Sequence, residues 1–468
     1  MSEADAGFLA LRQATAQEAA AVIEELVRSG ADHELSRINP LHLARHKGLG
    51  EDEAISALLH AARLGLFDLS WNVLCPGCGG VMQASATLKM VRSEAYHCEL
   101  CAAGYEPTLD EMVEVTFTVS PRLRRIAAHD PESLSMGEYC RQLFWSSGVD
   151  LPADFTDLID DIVLEHVELP PGDRALLSLQ LPSEFVIVFD PVTHSTQFLD
   201  VKGEPTRERQ QVTFVIDDVA GHTEPITLRP GPLRLSIENR SPSRALPGVW
   251  VAGKGLHDLL GRRRPFLTAK RLLANQTFRD IHRTDTLDVD QRLKITSLTF
   301  LFTDLKGSTE LYERVGDLAA YDIVRSHFAV LHDIVGEEAG AVVKTIGDAV
   351  MATFPTPDRA VAAALRMRDA MAALNRERGS EDLLLKIGMH EGPCLAVSLN
   401  DRQDFFGQTV NIASRVQNLA LSRAIFATDR VVENSETRQI LAESGIEPTP
   451  LRAALRGVAA EVALYEIP

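Results

Sequence analysis

Apolar residues spaced three or four apart recur through the first 70 positions, as they do on the buried face of a helix. Residues 40–45 predict a short helix and residues 51–66 a longer one, with the glycine-rich turn 48–50 between them. Residues 68–73 predict a strand. Helix, turn, helix and strand in this order outline a winged helix, so residues 1–72 are expected to form a helical, winged-helix-like module.

The pattern changes to short alternating or continuous apolar runs between residues 170 and 253, punctuated by Pro, Gly, Asp and Asn. The predicted strands are 176–181, 184–189, 211–216, 226–228 and 233–237. Regularly spaced strands predict an antiparallel β-sandwich over residues 166–256. It contains no catalytic cluster, so a structural or ligand-sensing role is expected. A helix is predicted at 266–283, after an arginine-rich break that is interpreted as a solvated linker.

From residue 298 onward the pattern is strand, long helix, hairpin, helix, strand, helix, strand. The first strand, 297–302, is strongly apolar and ends next to Asp304; the hairpin turns at Gly347-Asp348. A carboxylate near a core costs several kcal/mol unless it is paired, hydrogen-bonded or metal-bound. Two carboxylates at strand ends are able to chelate a hard cation through oxygen. The alternative is two turn-forming aspartates.

Composition and charge narrow the classes of function. The chain has 468 residues, 45% apolar and 24% charged, with a net charge of −19, which disfavours nucleic acid or an anionic membrane as the main partner. Residues 1–70 carry 6 Lys and Arg against 11 Asp and Glu, a net charge of −5, so the N-terminal helices favour an interaction module over DNA binding. No signal peptide and no apolar run near ~20 residues is visible, and a cytoplasmic location is expected.

Four cysteines form two knuckles, Cys75-Pro-Gly-Cys78 and Cys98-Glu-Leu-Cys101, with nineteen residues between them. Two such knuckles supply four thiolates for tetrahedral zinc and leave no open position, so a structural zinc ribbon is expected. Four unrelated thiols or a redox pair are the alternatives, and His97 is a possible substitute ligand. Cys140 and Cys394 stand alone and are expected to be buried thiols.

Three segments, 302–309, 343–348 and 404–415, together resemble class III nucleotidyl cyclases. The resemblance covers about residues 295–467 and implies an α+β, ferredoxin-like catalytic domain. Residues 1–290 resemble an uncharacterised region that precedes cyclase domains in some bacterial proteins. The expected domains are 1–72 (winged-helix-like), 73–115 (zinc ribbon), 116–165 (helical connector), 166–256 (β-sandwich), 257–292 (linker helix) and 293–468 (cyclase catalytic domain).

The resemblance implies a role for each motif residue, with two Mg²⁺ or Mn²⁺ ions per site. The residues and their implied roles are Asp304, Asp348 and the carbonyl of Leu305 for the metals, Lys344 and Asp404 for the purine, Asn411 and Arg415 for the transition state, and Gly307, Ser308 and Thr309 beneath the phosphates. At the position of Arg456 the family often has a triphosphate-binding lysine, and arginine also binds phosphate.

The purine-reading pair favours ATP. Lysine only donates hydrogen bonds, which fits the acceptor N1 of adenine, and ionised aspartate only accepts them, which fits the donor 6-amino group. Guanine has a donor and an acceptor in the reverse positions, so it would mismatch both residues. One chain holds one such domain, and the resemblance implies a homodimer with sites shared between chains, controlled by an unidentified ligand or protein at the N-terminal domains. The alternatives are a guanylate cyclase, a DNA-binding regulator with a vestigial cyclase domain, or a protein-interaction scaffold.

Overall fold

The computed structural model describes residues 3–217, 224–282, 287–288, 290–399, 402–420, 424–458 and 460–468, without the side chains of residues 3, 160 and 309. The chain divides into two compact units. The N-terminal unit comprises Met1–Pro107 and Met112–Leu267, and the C-terminal unit comprises Thr108–Glu111 and Thr268–Pro468. The finer division into six domains stays a prediction.

The N-terminal unit begins with helices and a small sheet. The helices are α1 (Glu3–Ala14), α2 (Gln17–Ser29), α3 (Pro40–Lys47) and α4 (Glu51–Arg63). The strands are β1 (Phe67–Leu74), β2 (Val81–Ser85), β3 (Tyr96–Cys98), β4 (Ala103–Tyr105) and β5 (Val113–Val119). Strand β1 pairs antiparallel with β2 and β5, and β3 pairs with β4. Helices α3 and α4 and strand β1 lie where the apolar pattern predicted them.

Residues 120–162 connect this region to the next sheet. They contain short 3-10 turns at Ala127–His129 and Pro131–Ser133, helix α5 (Met136–Tyr139), a π-helical turn at Cys140–Phe144 and helix α6 (Phe155–Ile162). Helices and helical turns cover less than half of the predicted helical connector 116–165, whose first residues belong to β5 and whose last residues belong to β6.

Two facing sheets follow, and their side chains share one core. The strands are β6 (Val163–His166), β7 (Arg174–Leu181), β8 (Val186–Phe189), β9 (Thr196–Val201), β10 (Gln210–Ile216), β11 (Ile226–Leu228), β12 (Gly231–Asn239) and β13 (Gly248–Val251). The sheets have the orders β10-β12-β7 and β11-β9-β8-β13-β6.

The prediction that all strands of the sandwich are antiparallel was wrong. Strands β10 and β12 run parallel, and so do β11 and β9. The reason is that β11 lies in the other sheet, so the chain leaves the first sheet after β10 and re-enters it in the same direction. Alternation of apolar residues marks a strand but carries no information about its direction.

The helix predicted at 266–283 was also wrong as a single element. After α7 (Lys254–Gly261), the chain forms two short helices, α8 (Ala269–Leu273) and α9 (Gln276–Ile281). Asn275 separates them because its Oδ1 accepts a hydrogen bond from the Phe278 N–H at 3.0 Å, which caps α9. Residue 283 lies outside the described residues.

The C-terminal unit is built on one large sheet. Its elements are β14 (Leu293–Leu305), α10 (Ser308–Val315), α11 (Asp317–Glu337), β15 (Ala341–Ile346), β16 (Ala349–Phe354), α12 (Pro357–Arg378), β17 (Leu385–Leu399), β18 (Arg402–Phe406), α13 (Gln408–Leu419), β19 (Ile425–Thr428), α14 (Asp429–Val432), α15 (Ser435–Glu443), β20 (Thr449–Ala453) and β21 (Val462–Ile467). The sheet order is β15-β16-β14-β17-β19-β21-β20, and β18 pairs with the far end of β17.

Strands β14 to β17 and helices α11 and α12 have the ferredoxin-like order. The chain runs βαββαβ, and each neighbouring pair in β15-β16-β14-β17 is antiparallel. Helices α11 and α12 pack against one face of this sheet. The expected α+β, ferredoxin-like architecture is therefore confirmed for the C-terminal unit.

A four-residue segment from the N-terminal half belongs to the C-terminal unit. Leu109 is fully buried and its N–H donates to the Lys294 carbonyl at 2.9 Å. The Asp110 carboxylate accepts from the Thr296 N–H at 2.6 Å and lies 3.3 Å from Lys270 Nζ. Nothing in the local sequence of residues 108–111 predicted this placement.

None of the helices in the described part of the chain combines the length and the hydropathy needed to cross a bilayer.

Candidate active site

The two motif carboxylates lie at the same end of neighbouring strands. Asp304 is near the end of β14, and Asp348 is in the turn between β15 and β16. Because Thr303 pairs with Val350 in an antiparallel register, the residues that follow Thr303 and precede Val350 meet at this end of the sheet. The structure therefore brings both aspartates to one edge of the domain.

The described protein groups do not supply a complete set of hydrogen-bonding and charged partners to either carboxylate. Asp348 is half-buried, and its Oδ2 is buried without a hydrogen-bond partner in the described part of the chain. Asp304 Oδ2 lies 3.6 Å from Lys386 Nζ, beyond hydrogen-bond length. Burial lowers the pKa of nearby His327 to about 4, so His327 supplies no positive charge at neutral pH. Carboxylate oxygens in this state fit a hard divalent cation.

A small-residue turn follows Asp304. Gly307 adopts φ +73°, a left-handed conformation that favours glycine, and it begins α10 at Ser308. The free N–H groups at a helix N-terminus are suited to phosphate oxygens. The backbone of Thr309 continues this helix, but its side chain lies outside the described part of the structure. Leu305 ends β14 with a buried side chain.

The two residues implied to bind the purine meet directly. Lys344 Nζ on β15 lies 2.5 Å from Asp404 Oδ2 on β18. The other oxygen of Asp404 accepts from the Phe405 N–H at 2.8 Å. The Lys344 side chain is 41% exposed and that of Asp404 is 10% exposed, so the pair lies at the surface with its donor more open than its acceptor.

Asn411 and Arg415 share one face of α13, because residues four apart on a helix are neighbours. Asn411 is exposed and Arg415 is half-buried. Helix α13 lies against β17 at Gly388, where a Cβ would come 2.1 Å from the backbone nitrogen of Gln417. The absence of a side chain at Gly388 thus sets the depth at which α13 sits.

Arg456 lies in an exposed turn that reaches α13. A Cβ built at the next residue, Gly457, would be 3.5 Å from both terminal nitrogens of Arg415. Leu455 is buried in the core under α13, which anchors the turn. The structure therefore places the Arg456 turn beside Arg415.

Three residues near these groups were missed from sequence: Lys386, His327 and Arg279. Lys386 lies opposite Asp304 across β14 and β17. His327 is a buried residue of α11, and Arg279 on α9 donates to the backbone beside both purine-pair residues. All three reach these groups through tertiary packing, and the local sequence contained no signal for any of them.

The four clustered cysteines converge in the N-terminal unit. Their sulfur atoms all lie within 4.8 Å of one another, with Cys75–Cys101 at 3.6 Å and Cys78–Cys98 at 3.8 Å. Four thiolates at ~2.3 Å from a tetrahedral zinc stand about 3.8 Å apart. Hydrogen bonding from Cys101 and its neighbours lowers the pKa of Cys75. The donor set and spacing fit one tetrahedral metal ion.

The two isolated cysteines are buried, as expected. Burial raises the pKa of Cys140, and it raises the pKa of Cys394 to about 12, so both are neutral thiols at neutral pH.

Comparison with known families divides the chain in two. Residues 1–280 match a family of unknown function, DUF5939, and residues 291–457 match the adenylate and guanylate cyclase catalytic domain. An adenylate cyclase of Anabaena cylindrica is 31% identical over 152 residues, which are 29% of this chain and 30% of the relative. Adenylate cyclase 2 of Rhizobium meliloti is 34% identical over 132 residues, 26% of this chain and 36% of the relative. The chain thus matches about a third of the length of these curated relatives.

Solved cyclase structures also align with part of this chain. The adenylyl cyclase CyaB from P. aeruginosa aligns with 38% of this chain and 96% of its own at 23% identity and a TM-score of 0.34. The guanylyl cyclase Cya2 aligns with 38% of this chain and 92% of its own at 20% identity and a TM-score of 0.34. One of these two proteins is named an adenylyl cyclase and the other a guanylyl cyclase. The chain belongs to the DUF5939 family over residues 1–280 and carries an adenylate and guanylate cyclase catalytic domain over residues 291–457.

Proposed function

We propose that this chain is an adenylate cyclase that converts ATP to 3′,5′-cyclic AMP and pyrophosphate. The observation that carries the proposal is the Lys344–Asp404 pair, in which an ammonium lies 2.5 Å from a carboxylate. Adenine presents an acceptor, N1, and a donor, its 6-amino group, side by side. A neighbouring donor and acceptor match this edge, and guanine would face both with the wrong partner.

Asp304 and Asp348, with the carbonyl of Leu305, would hold two Mg²⁺ or Mn²⁺ ions. Support comes from the buried, unpartnered Oδ2 of Asp348 and the long Asp304–Lys386 contact among the described residues. Such ions supply charge neutralisation at the triphosphate and acidify a bound hydroxyl.

The reaction joins the ribose 3′-oxygen to the α-phosphorus. The hydroxyl proton passes to water, the bond from the α-phosphorus to the bridging oxygen breaks, and pyrophosphate leaves with the bond electrons. Asn411 orients the ribose, and Arg415 faces the α-phosphate, where negative charge accumulates. Gly307, Ser308 and Thr309 offer backbone N–H groups to the phosphates, and Arg456 binds the triphosphate bidentately.

Each active site is shared between two copies of the chain. The metal-binding aspartates come from one copy, and Lys344, Asp404, Asn411 and Arg415 come from the other. Large apolar side chains support this: on the hairpins that carry these residues, Ile346 is 54% exposed, Leu399 49% and Phe406 64%. A second copy would cover them, and two-fold symmetry would create two sites.

The four cysteines hold one structural zinc ion. All four sulfur atoms serve as ligands, so no position is left open for catalysis.

The N-terminal unit regulates the rate in response to a ligand or protein partner. The backbone passes between the two units at residues 107–108, 111–112 and 267–268. A change within the N-terminal unit is therefore transmitted through the covalent link that precedes α8 and through the two links that flank residues 108–111, which bind the start of β14. Equal kcat and KM for the full chain and for residues 268–468 would contradict this role.

Competition between ATP and GTP tests the nucleotide. The wild-type chain should form cyclic AMP with Mg²⁺ or Mn²⁺ and prefer ATP in kcat/KM. Lys344→Glu combined with Asp404→Cys should move the ATP/GTP ratio at least about 10-fold toward GTP, because Glu accepts from guanine N1–H and the thiol donates to O6. Lys254→Glu, at an 87% exposed lysine, is the control. An unchanged ratio in the double variant refutes the pairing argument.

A further inference from the structure

Arg279 joins the two strands that carry the purine pair. Its Nη2 donates to the Gln403 carbonyl at 2.9 Å and to the Val343 carbonyl at 3.3 Å. These two carbonyls immediately precede Asp404 and Lys344 in the chain. Strands β15 and β18 are not neighbours in the sheet, because β16, β14 and β17 lie between them in the pairing order. One guanidinium therefore bridges two strands that share no ladder in the described structure.

The arginine is held in an environment that is costly for a cation. Burial lowers the pKa of Arg279 to about 10, although the charges of Asp404 and Asp280 act in the opposite direction. The guanidinium remains charged at neutral pH. Its Nη1 is buried and has no hydrogen-bond partner among the described residues. A buried, incompletely satisfied charge calls for an explanation beyond general packing.

Residues other than Arg279 also hold α9 on the domain. Gln276 Oε1 accepts from the Val342 N–H at 2.7 Å, and Phe278 is almost fully buried. These contacts hold α9 against β15 at Val342, which is not next to Asp404 in the chain. What Arg279 adds is a connection between the two carbonyls that adjoin Lys344 and Asp404.

We propose that Arg279 is a positioning residue that sets the spacing between Lys344 and Asp404 and thereby the preference for adenine. The inference rests on the proposed function, since it concerns the same purine pair. Reading two adjacent atoms of one base requires the donor and the acceptor to keep a fixed separation. Without the bridge, the relative position of β15 and β18 depends on the intervening strands and on the Lys344–Asp404 contact, and a displacement of about 1 Å is enough to weaken both contacts to the base.

Steady-state kinetics of the full chain with ATP and with GTP test this inference. Arg279→Ala should raise KM for ATP about 10-fold with a smaller change in kcat, and should lower the ATP/GTP ratio of kcat/KM about 10-fold. Arg279→Lys, which keeps the charge but lacks the planar fork, should fall between wild type and Arg279→Ala. Gln276→Ala is the matched control: it removes a bond from the same helix to the same strand and should leave the ratio unchanged.

A purely structural role predicts a different result. It lowers Tm and lowers turnover of both nucleotides by the same factor, leaving the ATP/GTP ratio as in wild type, and that result overturns the proposal. An equal ratio shift in Gln276→Ala overturns it too. If Arg279→Ala does not fold, the ratio in Arg279→Lys decides.

The same assay separates this inference from the proposed function. A wild-type preference for GTP contradicts the ATP assignment, while a ratio shift in the Arg279 variants still supports positioning. Wild-type turnover of ATP with no ratio shift contradicts positioning alone. Turnover of neither nucleotide by wild type refutes both.

Discussion

At the scale of single residues, Asp348 has the environment that most requires a bound cation. Its carboxylate is half-buried, one oxygen has no hydrogen-bond partner among the described groups, and the neighbouring His327 is neutral at neutral pH. A carboxylate oxygen that is buried without a hydrogen-bond partner destabilises the folded chain. A divalent ion bound by this oxygen would supply the missing partner, so we expect Asp348 to favour metal binding at the expense of stability.

Asp348→Ala should therefore separate activity from stability. We expect kcat to fall at least about 100-fold, because the metals lose a ligand. Tm measured without divalent ions should stay the same or rise, because an uncompensated charge is removed. Asp369→Ala, at a 74% exposed aspartate, is the control and should change neither quantity. More than a tenth of wild-type kcat in Asp348→Ala would sink the metal assignment.

The sequence was informative about this site where a residue type is tied to a local motif. Asp304 and Asp348 were identifiable because each interrupts an apolar strand pattern, and the cysteine knuckles because of their spacing. Lys386 and Arg279 were not identifiable, because they reach their partners through the sheet and through helix docking. Contacts of that kind depend on tertiary packing.

At the scale of elements, the position of α13 depends on its contact with β17. Gly388 allows the helix backbone to approach so closely that a Cβ would be 2.1 Å from Gln417 N. Asn411 and Arg415 project from the same helix, so their placement follows from this contact. The packing thus links a strand glycine to the implied transition-state residues.

Gly388→Ala should displace α13 and impair catalysis more than binding. Overpacking of this kind costs about 1–3 kcal/mol, which corresponds to a Tm decrease of roughly 3–10 °C. We expect kcat to fall more than KM rises, because the role proposed for Asn411 and Arg415 is in the transition state. Gly336→Ala is the control, since its nearest non-local atom would be 3.6 Å away. A Gly388→Ala protein with wild-type Tm and kcat would contradict the packing argument.

The two cysteine knuckles, residues 75–78 and 98–101, give a second test at the scale of elements. Elemental analysis should find about one zinc per chain, and its removal should lower the Tm of the N-terminal unit, since binding of a structural metal contributes folding free energy. Cys75→Ser should lose the metal, whereas Cys394→Ala, which removes an isolated buried thiol, should retain it. Metal-free wild-type protein with an unchanged melting profile would argue against the site.

Most elements followed from periodicity, and the errors have identifiable causes. Helices α3 and α4 and five strands of the sandwich lie close to their predicted positions, whereas β6, β9 and β13 were not predicted. The helix at 266–283 was over-extended because Asn275 caps α9 through a side-chain hydrogen bond that apolar spacing does not reveal. The parallel pairs β10–β12 and β11–β9 depend on which sheet each strand joins, which is a property of the whole unit.

At the scale of the whole molecule, the chain combines a unit from a family of unknown function with a cyclase catalytic domain. The boundary is not a single point in the sequence, because residues 108–111 belong to the C-terminal unit. Leu109 and Asp110 bind there to the start of β14, the strand that contains Asp304 near its end. The backbone therefore supplies a direct connection between the N-terminal unit and the strand that carries Asp304, for which we propose a metal-binding role.

The central claim is that each cyclase site is shared by two copies of the chain, with the metal-binding aspartates from one copy and the purine-binding and transition-state residues from the other. The activity of a mixture of two inactive chains tests this claim most directly. Asp304→Ala and Arg415→Ala are each expected to be inactive as homodimers. In the mixed dimer both changes fall in one site and the other site is intact. With random exchange of a 1:1 mixture, half of the dimers are mixed and each has one working site, so cyclic AMP formation should return to about a quarter of wild type. A mixture that stays inactive, although differently tagged chains co-purify as heterodimers, would contradict the account.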